Sequence, residues 1–568
     1  MKNNNQVESN QGYNLFFLSI VVICTGLILI GRMTQIGLFK QVNGVNLMDQ
    51  KIQTDNGSSI AKAKRGTIYD QFGQPIAMDT TSYSMYAVLN ADWADGETVK
   101  DIDYTASILS KYIDLPRETI WTLLNKKDVN QIEFGSASKN LSAQTKLAIE
   151  AENLPGIFFT GQVSRYYFND YFASHLVGYA ENINSSDASN SILEGAMGVE
   201  AAYNDVLSGE REKEGSAKTG KDLLGSDIYL TLDSRIQNQT ETVLDKTFKK
   251  YSPESMGAYL VDLESGKLLT SAQRPSFNLN TREGIDDLWQ NLLVETANEP
   301  GSTIKILTMA KAKEKGVFQP GETFLSGKVN VYDREVRDHN QYGWGQISFE
   351  DGFIRSSNVA MVDLVNRMGD QVWVEELKKF GFGVSTNSRL ANENPGSLDF
   401  TYPISRIMSG FGQAFSATPI QLMQAYSSIA NHGEMMKIQY IDHIAGSQNG
   451  YQKQSLGQVV DPQVTPYILD LMVRAVEDPE GTSRPFKSDL VKVAAKTGTA
   501  EIGSAEGLGY LTGRNNYFYS VISFFPAEKP KYMLYLFIKR PQNDHGIYGT
   551  QMLSEVFHPM LESILINQ

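Results

Sequence analysis

Ser302 stands three residues ahead of Lys305 in NEPGSTIKILTMAKAKEKG, a spacing that does chemistry if the two side chains meet. A hydroxyl is a poor nucleophile near neutral pH, and an amine that burial has stripped of its proton can serve as its base. Residues i and i+3 share one face of a helix. The stretch predicts a helix, because Pro300-Gly301 closes a loop and Ile304, Leu307, Thr308 and Ala312 recur at helical spacing until Gly316. Alone, such a pair is more often a capping serine beside a surface lysine, and Ser136 with Lys139 repeats the spacing. Two further motifs follow downstream. FIRSSNVAM offers Ser356 and Asn358 as S-x-N, and AAKTGTAEI offers Lys496, Thr497, Gly498 and Thr499 on a predicted strand. S-x-N also occurs at Ser276/Asn278, Ser385/Asn387 and Ser447/Asn449, and K-T-G at Lys218 to Gly220. Only the series beginning at Ser302 has the order and the context together: a helix start, a polar pair, then a cationic strand. The earlier K-T-G, in GSAKTGK, also imitates a phosphate loop but has Asp222 where a metal-binding Ser or Thr is needed.

The elements that must hold these groups can be read from the patterning. From IYLTLDSRIQNQTETVLDKTF the chain runs as a helix, a hairpin (GAYLVDLESGKLLTSAQ), several helices, and three closing strands, LVKVAAKTGTAEI, YFYSVISFFPAE and KYMLYLFIKRP. This order predicts an α+β domain over 231–568, with a mainly antiparallel sheet flanked by helices. Residues 33–230 mix strand-like runs such as SYSMYAVLN with helical ones such as LSAQTKLAIEAENL and hold no convergent catalytic set. They read as an elongated pedestal or docking domain. SGEREKEGSAKTGKDLLGSD is a charged, Gly-rich surface hairpin or linker.

Composition excludes several functions. The 568 residues, 41% hydrophobic, exceed one ordinary core. A net charge of -14 argues against nucleic-acid binding, which needs surplus Lys and Arg. Cys24 is the only cysteine, so no intramolecular disulfide or Cys-based metal cluster is expected. The six histidines are scattered, with no G-x-S-x-G or H-E-x-x-H, and no metal or cofactor is expected. YNLFFLSIVVICTGLILIG carries no charge over its 19 residues and would span about 28 Å as a helix, close to a bilayer's hydrocarbon thickness. It predicts a transmembrane helix over 13–32, with 1–12 as a tail that is cytoplasmic if the large C-terminal part lies outside. RMTQIGLFK, which follows, holds no small-x-small site for a signal peptidase. Lys2 on one side and Arg32 and Lys40 on the other leave orientation unencoded.

RGTIYDQFGQPIA, MGVEAAYNDVLSGE, LTLDSRIQ, NEPGSTIK, SSNVAM, SGFGQAFSATPIQLMQAYSSIANHG and AAKTGTAEI together resemble the successive signatures of the class B penicillin-binding proteins. The resemblance runs from about Arg65 to the end and is nearest to the Gram-positive division-type members. Gln71-Phe72 stand where the first signature usually has Arg-Asn. The resemblance implies a single-pass protein with its catalytic domain outside the membrane, a D,D-transpeptidase that cross-links peptidoglycan stem peptides, serves the septum and is acylated by β-lactams. It implies Ser302 as nucleophile, Lys305 as base, Ser356 as proton relay and Asn358 as a ligand of the substrate amide. Lys496 would add positive charge, and Thr497 and Thr499, flanking Gly498, would hold the terminal carboxylate, with the N–H groups of Ser302 and Thr499 as oxyanion hole. Implied partners are a polytopic membrane glycan polymerase and other division proteins. A D,D-carboxypeptidase would hydrolyse the same acyl-enzyme, and the residues alone leave that alternative open. A β-lactamase would not explain pedestal or anchor, and a bifunctional enzyme would need a Glu-Asp-x-x-Phe-type acidic signature that the pedestal lacks.

Overall fold

The computed structural model describes residues 41–42, 45–46 and 64–567, apart from 94–96, 184–191, 209–223, 448–449, 504–508 and 514. The expected tail and transmembrane helix, most of the charged linker and the K-T-G at 218–220 lie outside these residues. Among the described residues no helix is long and apolar enough to cross a membrane. The chain forms two units, Met1–Lys62 and Ala63–Gln568. In the first, Gln41–Val42 pairs with Val45–Asn46; the site lies in the second.

Alternating burial along Pro75–Val88 marks a strand with one face packed and one wet, and it pairs antiparallel with Ile157–Tyr167 along its length. These two belong to a six-stranded sheet with Gln131–Glu133, Ile68–Tyr69, Ile228–Leu230 and Ile441–Ile444. The last strand, far along the chain, pairs with Ile228–Leu230 and joins the C-terminal half to the pedestal sheet. Two signature residues meet inside this region: Arg65 donates to Glu200 at 2.6 Å, and Arg165 donates to Glu200 at 2.7 Å and to the half-buried Asp79 at 2.9 Å, with both arginines and Glu200 buried.

The C-terminal half is built on five strands, β1 (Ser255–Asp262), β2 (Lys267–Arg274), β3 (Ala494–Glu501), β4 (Tyr517–Phe525) and β5 (Tyr532–Lys539), in the order β2-β1-β5-β4-β3. Every pair is antiparallel. The predicted α+β domain is therefore present. The strands are apolar on both sides because helices cover both faces. Ala258, Leu260, Val521, Leu534 and Leu536 pack on α1 (Ser234–Tyr251) and α4 (Gly549–Ile566), whose contacts include Leu244, Val556 and Phe557. Tyr259, Ile522, Met533 and Tyr535 face the larger core that holds α2 (Lys305–Glu314) and α3 (Asn358–Met368). Strand β3 is the edge strand of this sheet.

Candidate active site

Ser302 sits in a 3-10 turn, Gly301–Ile304, and α2 begins at Lys305. The expected helix start is there, with its first turn wound more tightly than an α-helix. Residues Lys305 to Ala312 are all buried, so α2 is a core helix rather than an amphipathic surface one. Ser302 is half-buried, and among the described residues its side chain makes no hydrogen bond. Two glycines let its turn press on β3. Gly301 has φ +58, and a Cβ there would lie 2.9 Å from the Thr499 carbonyl. A Cβ on Gly498 would lie 2.5 Å from Ser520 Oγ and 3.0 Å from the Pro300 carbonyl oxygen.

The second motif closes the site from the other side. Lys305 is fully buried, and its Nζ lies 2.7 Å from the Ser356 carbonyl, 2.7 Å from Asn358 Oδ1 and 3.2 Å from Ser356 Oγ. Lys496, equally buried on β3, reaches the same Ser356 Oγ at 2.9 Å and its neighbour's carbonyl, that of Thr497, at 3.2 Å. All three motifs thus meet around Ser356, which takes a left-handed φ of 60 that costs a non-glycine residue about 1–3 kcal/mol. Asn358 Nδ2 donates to the Arg337 carbonyl at 2.9 Å. Its second N–H and the second lone pair of Oδ1 make no hydrogen bond among the described residues. Burial lowers the Lys305 pKa far below the usual lysine value, with the charge of Lys496 adding to the effect and Asp338 opposing it. Burial likewise brings Lys496 down to about 7.

Three site residues carried no signal in the sequence. Asp338 accepts from Ser357 Oγ at 2.8 Å, Val359 N at 3.1 Å and Gly327 N at 2.8 Å, which clamps the turn that holds Ser356 left-handed. His339 beside it is exposed, and the desolvation of its ring together with the charges of Lys305 and Lys496 holds it below its usual pKa, so this surface histidine feels the site's electrostatics. Thr482 shares a hydrogen bond with Thr497 Oγ1 at 3.2 Å and donates its N–H to the Ile354 carbonyl, tying β3 to the second motif. Each lies on a loop, where no periodicity marks a residue; only their place in space does. Among the described residues no cluster of metal-binding side chains occurs.

A serine one turn from a buried, deprotonatable lysine, with a second lysine on an edge strand, is the layout of an acyl-transfer enzyme. The family model of the penicillin binding protein transpeptidase domain matches residues 256–562, and that of the penicillin-binding protein dimerisation domain matches residues 60–229. The chain belongs to the class B penicillin-binding proteins and is a serine-type transpeptidase. It is 27% identical to stage V sporulation protein D of Bacillus subtilis over 94% of this chain and 82% of that one. It is 24% identical to the peptidoglycan D,D-transpeptidase FtsI of Escherichia coli over 88% and 83%. The crystal structure of penicillin binding protein 2X from Streptococcus thermophilus superposes with a TM-score of 0.72 at 30% identity, covering 89% of this chain and 79% of that one.

Proposed function

We propose that this chain is a membrane-anchored peptidoglycan D,D-transpeptidase that works at the septum through an acyl-enzyme on Ser302 and is inhibited covalently by β-lactams. The observation that carries the reading is the meeting of Lys305, one helical turn after Ser302, with Lys496 and Asn358 around Ser356. No carboxylate lies within ion-pair distance of either lysine among the described residues, so two full charges there would be costly, and Lys305 is the one that gives up its proton. A neutral amine has two N–H groups. The Ser356 carbonyl and Asn358 Oδ1 take both, leaving the lone pair for a hydroxyl proton.

Ser302 Oγ attacks the carbonyl carbon of the penultimate D-alanine while its proton passes to Lys305 Nζ. Ser356 carries a proton on to the departing amine of the terminal D-alanine as the C–N bond breaks, leaving an ester on Ser302. The amine of a second stem peptide attacks that ester, and its proton returns to Ser302 by the same route. Catalytic hydrogen bonds tighten in the substrate complex, which is where Ser302 Oγ and Lys305 Nζ close. Thr497 and Thr499 hold the terminal carboxylate beside Lys496, and the N–H groups of Ser302 and Thr499 face the oxyanion. A β-lactam is a cyclic amide whose leaving group stays tethered, so its ester persists.

The anchor rests on the uncharged run Tyr13 to Gly31 and the septal role on resemblance to division-type members. The tail is 1–12, the anchor 13–32, the pedestal 33–230 and the catalytic domain 231–568, which lies outside the cell membrane. Partners are the stem peptides, a polytopic membrane glycan polymerase and division proteins. The test supplies purified protein with uncross-linked, pentapeptide-bearing glycan strands and counts cross-linked dimers after digestion. Dimers that vanish with penicillin or with Ser302→Ala support the reading; free tetrapeptide with no dimers would make the enzyme a carboxypeptidase.

A further inference from the structure

Glu299 lies three residues before Ser302, and no step of the mechanism uses it. Its Oε1 accepts from the Ala414 N–H at 2.8 Å and from the Tyr510 hydroxyl at 3.1 Å. Its Oε2 is buried without a hydrogen-bond partner. These contacts join three chain segments at the nucleophile. The first is the 298–301 stretch, whose backbone also pairs with 412–417: Asn298 and Ala417 exchange both N–H bonds at 3.0 Å, and Gly301 N–H donates to Gly412 at 3.0 Å. The second is 412–417 itself. The third is the stretch 510–511, which lies beside the residues that follow β3: Tyr510 pairs with Gly503 and Leu511 donates to Ile502. A second link closes the ring, because Gln413 donates to Glu501 at 2.9 Å. Glu299 and Glu501 therefore tie the nucleophile's loop to the end of the oxyanion strand.

We propose that Glu299 is a positioning residue that works as a neutral carboxylic acid, holding the loop of Ser302 against the strand of Thr499, and that its ionisation loosens this ring. The charged and titratable groups that bear on it are Glu501 and Tyr510, with Arg334 acting on Tyr510; no cation is hydrogen-bonded to Glu299. An unpaired carboxylate with a dry oxygen beside a second carboxylate is unfavourable, which keeps the neutral form. Burial, with the Glu501 charge adding to it, raises the Glu299 pKa to about 7, so the ring is intact below that pH and strained above it.

The inference rests on the Ser302 reading, and the experiment separates the two. Acylation by a fluorescent penicillin is followed from pH 5.5 to 9 in the full-length wild type, Glu299→Gln and Glu299→Ala, alongside thermal melts. Gln keeps the shape and the acceptor oxygen without a charge. We expect Glu299→Ala to acylate about 10- to 100-fold more slowly, the scale of a small misplacement of reacting groups, in the rate step more than in probe affinity. Glu299→Gln should match the wild type below pH 7, and the ratio of its rate to that of the wild type should rise above pH 7, a ratio in which the titration of the lysines cancels. Equal rates in all three proteins, a flat Gln to wild-type ratio, or a loss in Ala explained by a lower melting temperature would overturn the proposal while leaving Ser302 as nucleophile. Absence of any label on the wild type would instead remove the acyl-enzyme reading on which it stands.

Discussion

Lys305 and Lys496 approach the same Ser356 hydroxyl, and burial draws both below the usual lysine range. At the residue scale this pair fixes how the enzyme responds to mutation and to pH. Lys305→Ala should lower penicillin acylation about 10²- to 10⁴-fold, the usual worth of a general base, while circular dichroism shows the fold retained, alanine being a good helix former. Lowering the pH protonates the base, so acylation should fall as pH drops through the depressed Lys305 pKa. Stability has its own sign. Lys496 binds its proton at about pH 7 when folded and near 10.5 when unfolded, so between those values the unfolded chain holds the extra proton and stability rises with pH. Melts of wild type against Lys496→Met should show the difference moving in favour of the wild type from pH 7 to 10.5. The motif residues were legible in the sequence because fixed spacing in an ordered series marks them. Asp338 and Thr482 were not, and Glu299, though it stands in NEPGSTIK, gave no sign of its bonds to Ala414 and Tyr510, since all three act from loops through contacts between segments far apart in the chain.

At the scale of elements, patterning was enough to order the helix, hairpin, helices and closing strands of the C-terminal half, and the sheet is antiparallel throughout. Its strands read clearly because β-branched and aromatic residues fill both faces. Two things were beyond the pattern. The turn of Ser302 is 3-10, a choice made by the packing of Gly301 on Thr499 rather than by local propensity. Strand Ile441–Ile444 joins the pedestal sheet, and a four-residue run carries no mark of so distant a partner. The contact between turn and strand is open to test. Gly498→Ala places a methyl against Ser520 Oγ and the Pro300 carbonyl, which should cost about 1–3 kcal/mol of stability, as overpacking does, read in a denaturant melt. It should also slow acylation by pushing Ser302 off the strand, whereas unchanged kinetics would mean that the turn does not need the close approach.

At the scale of the whole molecule, the residues of the site all lie in the unit Ala63–Gln568, so a soluble form beginning near Lys51 should bind penicillin as the full chain does. In cells the same form at native abundance should fail to replace the full-length protein if, as proposed, the chain is anchored beside a glycan polymerase, because losing a shared membrane would remove their high local concentration. Growth supported by the secreted form would refute that recruitment. The proposed convergence of three motifs would make Ser302 a nucleophile whose β-lactam ester is long-lived. Mass spectrometry of the protein after incubation with penicillin, followed by peptide mapping, tests it directly. The expected result is one penicilloyl group per chain, on the peptide that contains Ser302, and none on Ser302→Ala. Label on another residue, or rapid release of free penicilloate with no lasting adduct, would contradict it.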